Sequence, residues 1–213
     1  MEKAVIFDLD GTMWDASETV TDAFNIRLAQ MGIQRRITVE EMMGQMGRTL
    51  EEIASVFFGS VDPENAVNIM RSCTDYENQY IKTAGGRVYP GLERTLEGLK
   101  EDGWGVICVS NCQSGYIESF IDYLGLDGVF DDIECWGNTG LGKAENIKLV
   151  IQRNHVNKAV YVGDTMGDYN SALEAGADFI HAAYGYGTVP EGTKSIASPE
   201  ELLGLLRRLY SKI

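Results

Sequence analysis

Residues 4 to 12 read AVIFDLDGT. The apolar run from Ala4 to Phe7 has the composition of a buried strand. It stops at two carboxylates, Asp8 and Asp10, followed by Gly11 and Thr12. Side chains two apart on a strand point to the same side, so these acids repel each other at a strand end. Gly11 lets the chain turn sharply out of the strand. The stretch therefore predicts a buried strand and poses a demand: groups elsewhere in the chain must offset two like charges.

Two further apolar runs end in polar residues. WGVICVS, Trp104 to Ser110, leads into Asn111, and AVYVGD ends at Asp164, with Asp168 four residues later where a helix would begin. A loop containing Gly137, Gly140 and Gly142 delivers Lys143. From about residue 90, helical and strand patterns alternate. Helices are predicted over Leu92 to about Glu101, through Ile117 to Leu124, through Ile147 and Ile151, around Ala172, and from Ser198-Pro199 onward. Strands are predicted near Asp131 to Cys135 and Phe179 to Ala182. Such alternation implies a parallel sheet covered by helices. Ligands of open parallel sheets bind at the carboxyl ends of the strands, so Asp8, Asp10, Ser110, Asn111, Lys143, Asp164 and Asp168 are expected to meet in one crevice.

Residues 17 to about 83 carry only helical patterns. Val20, Phe24, Leu28 and Met31 recur at helical spacing. Thr38 with Glu41, and Thr49 with Glu52, have the spacing of capping boxes. Asp62-Pro63 reads as an N-cap followed by proline at the first helical position. The fold expected is α/β: a Rossmann-like parallel sheet core covered by helices, with an inserted all-helical domain. The core is assigned to 1–15 and 86–213 and the insert to 16–85, with hinges near Asp15 to Ser17 and Gly85 to Pro90.

The chain of 213 residues is 44% hydrophobic, ample for a packed core, and carries a formal net charge of -14. Such a surface repels phosphate backbones, so no nucleic-acid partner is expected. Cys73, Cys108, Cys112 and Cys135 form no CxxC pair, and neither zinc nor a disulfide is expected. His155 and His181 have no partner pattern and read as structural. The first residues do not resemble a signal peptide. No apolar segment approaches the roughly 20 residues that span a membrane. A soluble cytoplasmic protein without a membrane partner is expected.

Four carboxylates in one crevice require a cation, and hard oxygen ligands favour Mg²⁺. Lys143 is a point charge for phosphate oxygens, Ser110 a hydroxyl donor, and the backbone N–H groups after the strands add further donors. This set suits electrostatic stabilisation of a transferring phosphoryl group.

On these residues the sequence resembles the haloacid dehalogenase-like (HAD) hydrolases, in their phosphoglycolate phosphatase-like branch with a helical C1 cap. DLDGT (Asp8 to Thr12), Ser110-Asn111, Lys143 in GLGKAENI and GDTMGD (Gly163 to Asp168) match the four family motifs in order. YPGLERTLEGLKEDG (Tyr89 to Gly103) also fits, and YGYG (Tyr184 to Gly187) is a loose likeness. The resemblance implies that Asp8 attacks phosphorus to form an aspartyl-phosphate, and that Asp10 protonates the leaving oxygen and then activates water. It implies Mg²⁺ held by Asp8, the main-chain carbonyl of Asp10 and Asp164, with Asp168 acting directly or through water. It implies phosphate binding by Ser110, Lys143 and the Asn111 backbone. The insert takes the position of a cap that closes over the site and selects the leaving group. In the cap loop GQMGRT, Arg48 is the candidate for a second anionic group of the substrate. Gln45 and, at the cap–core cleft, Trp14 are further candidates.

The function implied is Mg²⁺-dependent hydrolysis of a small phosphorylated metabolite. Asp10 points away from dehalogenation, because halide leaves without protonation. Residues 15 to 81 contain no lysine, which argues against phosphonatase chemistry through a cap Schiff base. A phosphomutase of the β-phosphoglucomutase kind and a pyrophosphatase remain open. A phospho-receiver or idle phosphate-binding module is disfavoured by the length, the insert and the two acids after the first strand.

Overall fold

The opening apolar run is the central strand of the molecule. The computed structural model describes residues 1–210. In chain order the elements begin with β1 (Lys3–Phe7) and β2 (Trp14–Asp15), then α1 (Ser17–Gln30), α2 (Val39–Met43), α3 (Leu50–Phe58) and α4 (Ala66–Ala84). They continue with β3 (Arg87–Val88), α5 (Leu92–Glu101), β4 (Gly105–Ser110), α6 (Tyr116–Leu124), β5 (Asp132–Cys135) and α7 (Trp136–Thr139). The rest are α8 (Lys143–Arg153), β6 (Lys158–Gly163), α9 (Met166–Glu174), β7 (Asp178–Ala182), β8 (Ser195–Ile196) and α10 (Glu201–Leu209).

Six strands form one parallel sheet in the order β5-β4-β1-β6-β7-β8. The run from β1 to β5 goes one way across the sheet. The chain then returns to the other side of β1 and continues outward. This is the doubly-wound order, and its switch point lies between β1 and β6, where a crevice opens at the carboxyl ends. Asp8 and Asp164 follow those two strands directly.

A strand buried on both faces must be apolar throughout. Val5 and Phe7 pack in one layer with Leu96, Phe120 and Leu202, whereas Ala4 and Ile6 pack in the other with Ile147, Val150 and Ala172. Fully burying a side chain such as Val, Ile or Phe is worth roughly 1.5–3 kcal/mol, so an internal charge in this run would remove the sheet's centre.

Helices α1 to α4 lie between β2 and β3. Within them α4 packs on α1 and α3, and it also packs on α6 beside the sheet. Polar contacts reinforce that junction: the Asn78 amide donates to the Ser114 carbonyl at 2.8 Å, and Lys82 pairs with Asp122 at 2.8 Å. Strands β2 and β3 form a small antiparallel ribbon, Trp14 opposite Val88 and Asp15 opposite Arg87. Two-residue strands carry no alternation, so the sequence pattern does not announce this ribbon, nor β8 or the short α7.

Helix starts differ from the sequence expectation at two places. The Asp62 carboxylate accepts from the Asn65 backbone and side chain and closes a turn, so α4 begins after Asn65 rather than at Pro63. After Ser198-Pro199 a tight turn comes first, with Glu201 N–H donating to the Ser198 carbonyl, and α10 begins at Glu201. The Thr38–Glu41 box is present, and the Glu52 carboxylate accepts from the Thr49 N–H at 2.9 Å. No described helix is long and apolar enough to cross a membrane. The four cysteines are free thiols.

Candidate active site

The three strand ends and the loop before α8 bring the predicted core residues together. One carboxylate oxygen each from Asp8, Asp164 and Asp168 lies within 4.8 Å of the others. All three side chains are buried. Lys143, first residue of α8, reaches between them: its ammonium donates to Asp8 Oδ1 at 2.9 Å and to Asp168 Oδ1 at 2.5 Å. Burial works against that charge, but the adjacent Asp168 and Asp8 carboxylates hold the ammonium above the ordinary lysine range. Removing one partner from such a buried set costs about 3–5 kcal/mol.

The acids are not equivalent. Burial pushes Asp8 well up, aided by the Asp168 charge and opposed by Lys143. Burial acts on Asp168 too, yet the Lys143 ammonium and the Thr165 donors hold it below the usual carboxylate range. Asp168 is the third residue of α9 in a capping box, its Oδ2 taking the Thr165 N–H at 3.0 Å and hydroxyl at 2.6 Å. Asp164 is raised to about 6 by burial and by the Asp168 charge. Its Oδ2 takes the Tyr186 N–H at 2.7 Å, while its buried Oδ1 has no hydrogen-bond partner among the described residues.

That orphan oxygen fits a cation. An unpartnered buried carboxylate oxygen facing two more carboxylates is costly unless a positive charge joins them. An all-oxygen set of this kind suits a hard divalent ion such as Mg²⁺. Asp8, Asp164 and, through its remaining lone pairs or a water, Asp168 are the side chains able to hold it.

Asp10 is turned away from this group. Its Oδ1 accepts the Trp14 indole N–H at 3.0 Å and the Tyr116 hydroxyl at 2.9 Å. Burial raises its carboxyl to about 7 against the pull of those two donors. The divergence of Asp8 and Asp10 depends on Gly11, whose φ of 82° is left-handed and where a Cβ would collide with the Asp164 carboxylate and the Tyr186 ring. The YGYG loop closes over the same turn. Gly185 has no room for a Cβ against Asp164, and the Tyr184 hydroxyl donates to the Thr12 carbonyl at 2.8 Å.

Ser110 and Asn111 line the cleft with Asp8 and Asp10, at the carboxyl end of β4. The Asn111 amide donates to the Gly47 carbonyl at 2.8 Å, joining this edge to the loop before α3. The cleft is tight, with a cavity volume of about 80 Å³, below the usual range for small-molecule sites. Arg48 and Gln45 line it from the insert, Arg48 exposed at the rim.

Trp14 does not face this cleft. It is fully buried, its ring packs edge-on against Phe120 at 4.9 Å, and its indole is spent on Asp10. A large aromatic in the ribbon beside the sheet gains more from that packing than from exposure in a cleft. Its expected contact with substrate is replaced by a contact with Asp10.

Sequence reasoning missed Tyr116 and Glu77. Tyr116 opens α6 after a glycine and carries no motif. Glu77 carried a signal: it lies on the buried stripe Ile69, Met70, Cys73, Thr74, Ile81 of α4, where helical spacing calls for an apolar residue. An acid at such a position calls for a reason.

The doubly-wound sheet, the divergent acids and the buried lysine define a hydrolase built around a carboxylate cluster at a topological switch point. Residues 5–182 match the family described as haloacid dehalogenase-like hydrolase, and the chain belongs to that family. Similar curated proteins include the phosphoglycolate phosphatase of Nitrosospira multiformis, 27% identical over 192 residues, covering 86% of this chain and 84% of that one. That of Aquifex aeolicus is 27% identical over 215 residues, covering 96% of each. Among solved structures, a predicted phosphatase from Clostridium acetobutylicum superposes with a TM-score of 0.78 at 23% identity, covering 98% of this chain and 99% of that one. CbbY of Rhodobacter sphaeroides, in complex with xylulose-1,5-bisphosphate, gives 0.80 at 21% identity, covering 95% and 96%. The curated relatives are phosphoglycolate phosphatases, and the solved neighbours share this chain's fold.

Proposed function

We propose that the protein is a Mg²⁺-dependent phosphatase that hydrolyses a small phosphorylated metabolite through a phosphoryl group carried on Asp8. The observation that carries this reading is the split between Asp8 and Asp10. One acid is held by Lys143 within the cation-ready cluster, and the other, two residues on, is held by neutral donors at a pKa of about 7.

In this reading an Asp8 carboxylate oxygen attacks phosphorus while the P–O bond to the alcohol breaks. Asp10 gives its proton to the departing oxygen, then takes a proton from the water that attacks phospho-Asp8, returning phosphate and free Asp8. A carboxyl poised near neutrality can serve in both directions. Ser110, Lys143 and the Asn111 backbone hold the phosphoryl oxygens. Mg²⁺, held by Asp8, Asp164 and the Asp10 carbonyl with Asp168 behind, supplies positive charge against the gathering anions when bound. Residues 16–85 act as the cap that closes the cleft and excludes water, with Arg48 and Gln45 toward the substrate.

The test is turnover of p-nitrophenyl phosphate with Mg²⁺ and after chelation with EDTA, alongside Asp8→Asn. Loss in both, with Mg²⁺ restoring only the wild type, is expected. Full activity in Asp8→Asn would overturn the covalent route.

A further inference from the structure

Glu77 projects from α4 into the same cleft as Asp8 and Asp10, and the reaction above does not use it. It is 4% exposed. Its Oε2 accepts from the Gln113 amide at 3.1 Å, and that amide nitrogen is shared with Asn78 Oδ1 at 3.0 Å. Its Oε1 has no hydrogen-bond partner among the described residues. Phe24, Met42, Met46, Leu50 and Met70 supply apolar lining to the same cleft. An acid in such surroundings is costly without partners of its own, and the stripe it occupies would be better served by leucine for packing alone.

A second observation concerns acceptors. Gln45 Oε1 and Asn111 Oδ1, both on residues lining this cleft, are buried without partners. The Asn111 orientation is fixed, because its nitrogen is committed to the Gly47 carbonyl. These residues add unpartnered acceptors around the cleft, and the one cation among the described lining residues, Arg48, is out at the rim. Among the described residues no donor reaches Glu77 Oε1, so a ligand bound beside it must bring one.

We infer that Glu77 is a specificity residue. It selects phosphate monoesters whose alcohol portion carries a hydrogen-bond donor, a hydroxyl or an ammonium, and disfavours those whose alcohol portion ends in a carboxylate. The inference rests on the phosphatase reading and deepens it. A substrate carboxylate beside Glu77 would either meet like charge that is little screened or oblige Glu77 to take up a proton first. Burial and the Asp10 charge already raise the Glu77 carboxyl, with Gln113 opposing. A ligand donor would satisfy the group in place of a proton.

The experiment compares kcat/KM for glycerol 1-phosphate, O-phosphoethanolamine and 2-phosphoglycolate in the wild type, Glu77→Gln and Glu77→Asp. Each enzyme is read by its ratios between substrates, so a general loss of activity cancels. The wild type is expected to favour at least one of the first two over 2-phosphoglycolate by about tenfold or more, the scale of a hydrogen bond to a charged group. Glu77→Gln should shrink that ratio several-fold, and Glu77→Asp should keep its direction. If ammonium is the donor, Glu77→Gln also lowers O-phosphoethanolamine relative to glycerol 1-phosphate; if hydroxyl, that pair holds. Preference of the wild type for 2-phosphoglycolate, or ratios unmoved in Glu77→Gln, would overturn the inference while p-nitrophenyl phosphate turnover leaves the phosphatase reading standing. No turnover of p-nitrophenyl phosphate by the wild type would remove both.

Discussion

Two carboxyls line one cleft, Glu77 buried and Asp10 half-buried, and they are held in opposite ways. Asp10, from the sheet side, sits between two donors contributed by the ribbon and by α6. Glu77, from the helical side, has a single shared amide. Burial raises both. The sheet side surrounds its acid with enough donors to let it give and take a proton near neutral pH. The helical side leaves its acid short of partners, which makes it a detector of whatever enters. One cleft thus combines a wall arranged for a reaction with a wall arranged for a choice.

The contrast can be broken from the sheet side most severely. Asp8→Asn is expected to lower kcat by about four orders of magnitude or more, as loss of a nucleophile does elsewhere. It should do so for every phosphate ester, with mass spectrometry of trapped enzyme showing no phosphoryl group. Asp10→Asn should cost about 10²- to 10⁴-fold, the scale of general acid–base catalysis. Its pH signature is specific. Asp10 must start protonated, and its carboxyl lies at about 7, so wild-type kcat/KM should fall tenfold per unit as pH rises beyond about 7. That limb should be absent from the residual rate of Asp10→Asn.

A smaller effect sharpens the comparison. Tyr116→Phe removes a donor that favours the Asp10 carboxylate, so the Asp10 pKa should rise and the alkaline limb of the rate profile should move to higher pH. Loss of that hydrogen bond should lower stability by about 1 kcal/mol in a denaturant titration. Smallest of all, Arg48→Ala at the exposed rim should change kcat/KM by no more than about fivefold, since exposed charge pairs are worth about 0–1 kcal/mol. That change should be confined to substrates bearing a second anionic group and absent for p-nitrophenyl phosphate.

Legibility in the sequence followed the same division. The sheet side could be read because each of its elements is a buried strand or a capped helix start with its own local pattern. AVIFDLDGT, Ser110 and the Asp164–Asp168 pair stand where a strand run stops, Lys143 opens α8 after a glycine-bearing loop, and β1, β4 and β6 lie side by side. The partners that tune those residues were not legible, because they come from long-range packing. Trp14 is four residues from Asp10 but reaches it only because the turn at Gly11 folds back, and Tyr116 arrives from 106 residues away. The ribbon of β2 and β3 is too short for periodicity. Glu77 was visible as a break in an apolar stripe, yet a break alone does not say what the acid faces.

The ribbon has a consequence for how the chain could be shortened. Asp15 and Arg87 sit opposite each other and are bridged at 3.0 Å, and residues opposed in an antiparallel pair lie about 5 Å apart. A tight two-residue turn is what ordinarily joins such strands. Everything between them could therefore be excised and the cut closed with a hairpin, without rethreading a single strand of the six-stranded sheet. The helical segment is topologically a detour: the chain leaves the sheet's neighbourhood and returns through the same doorway.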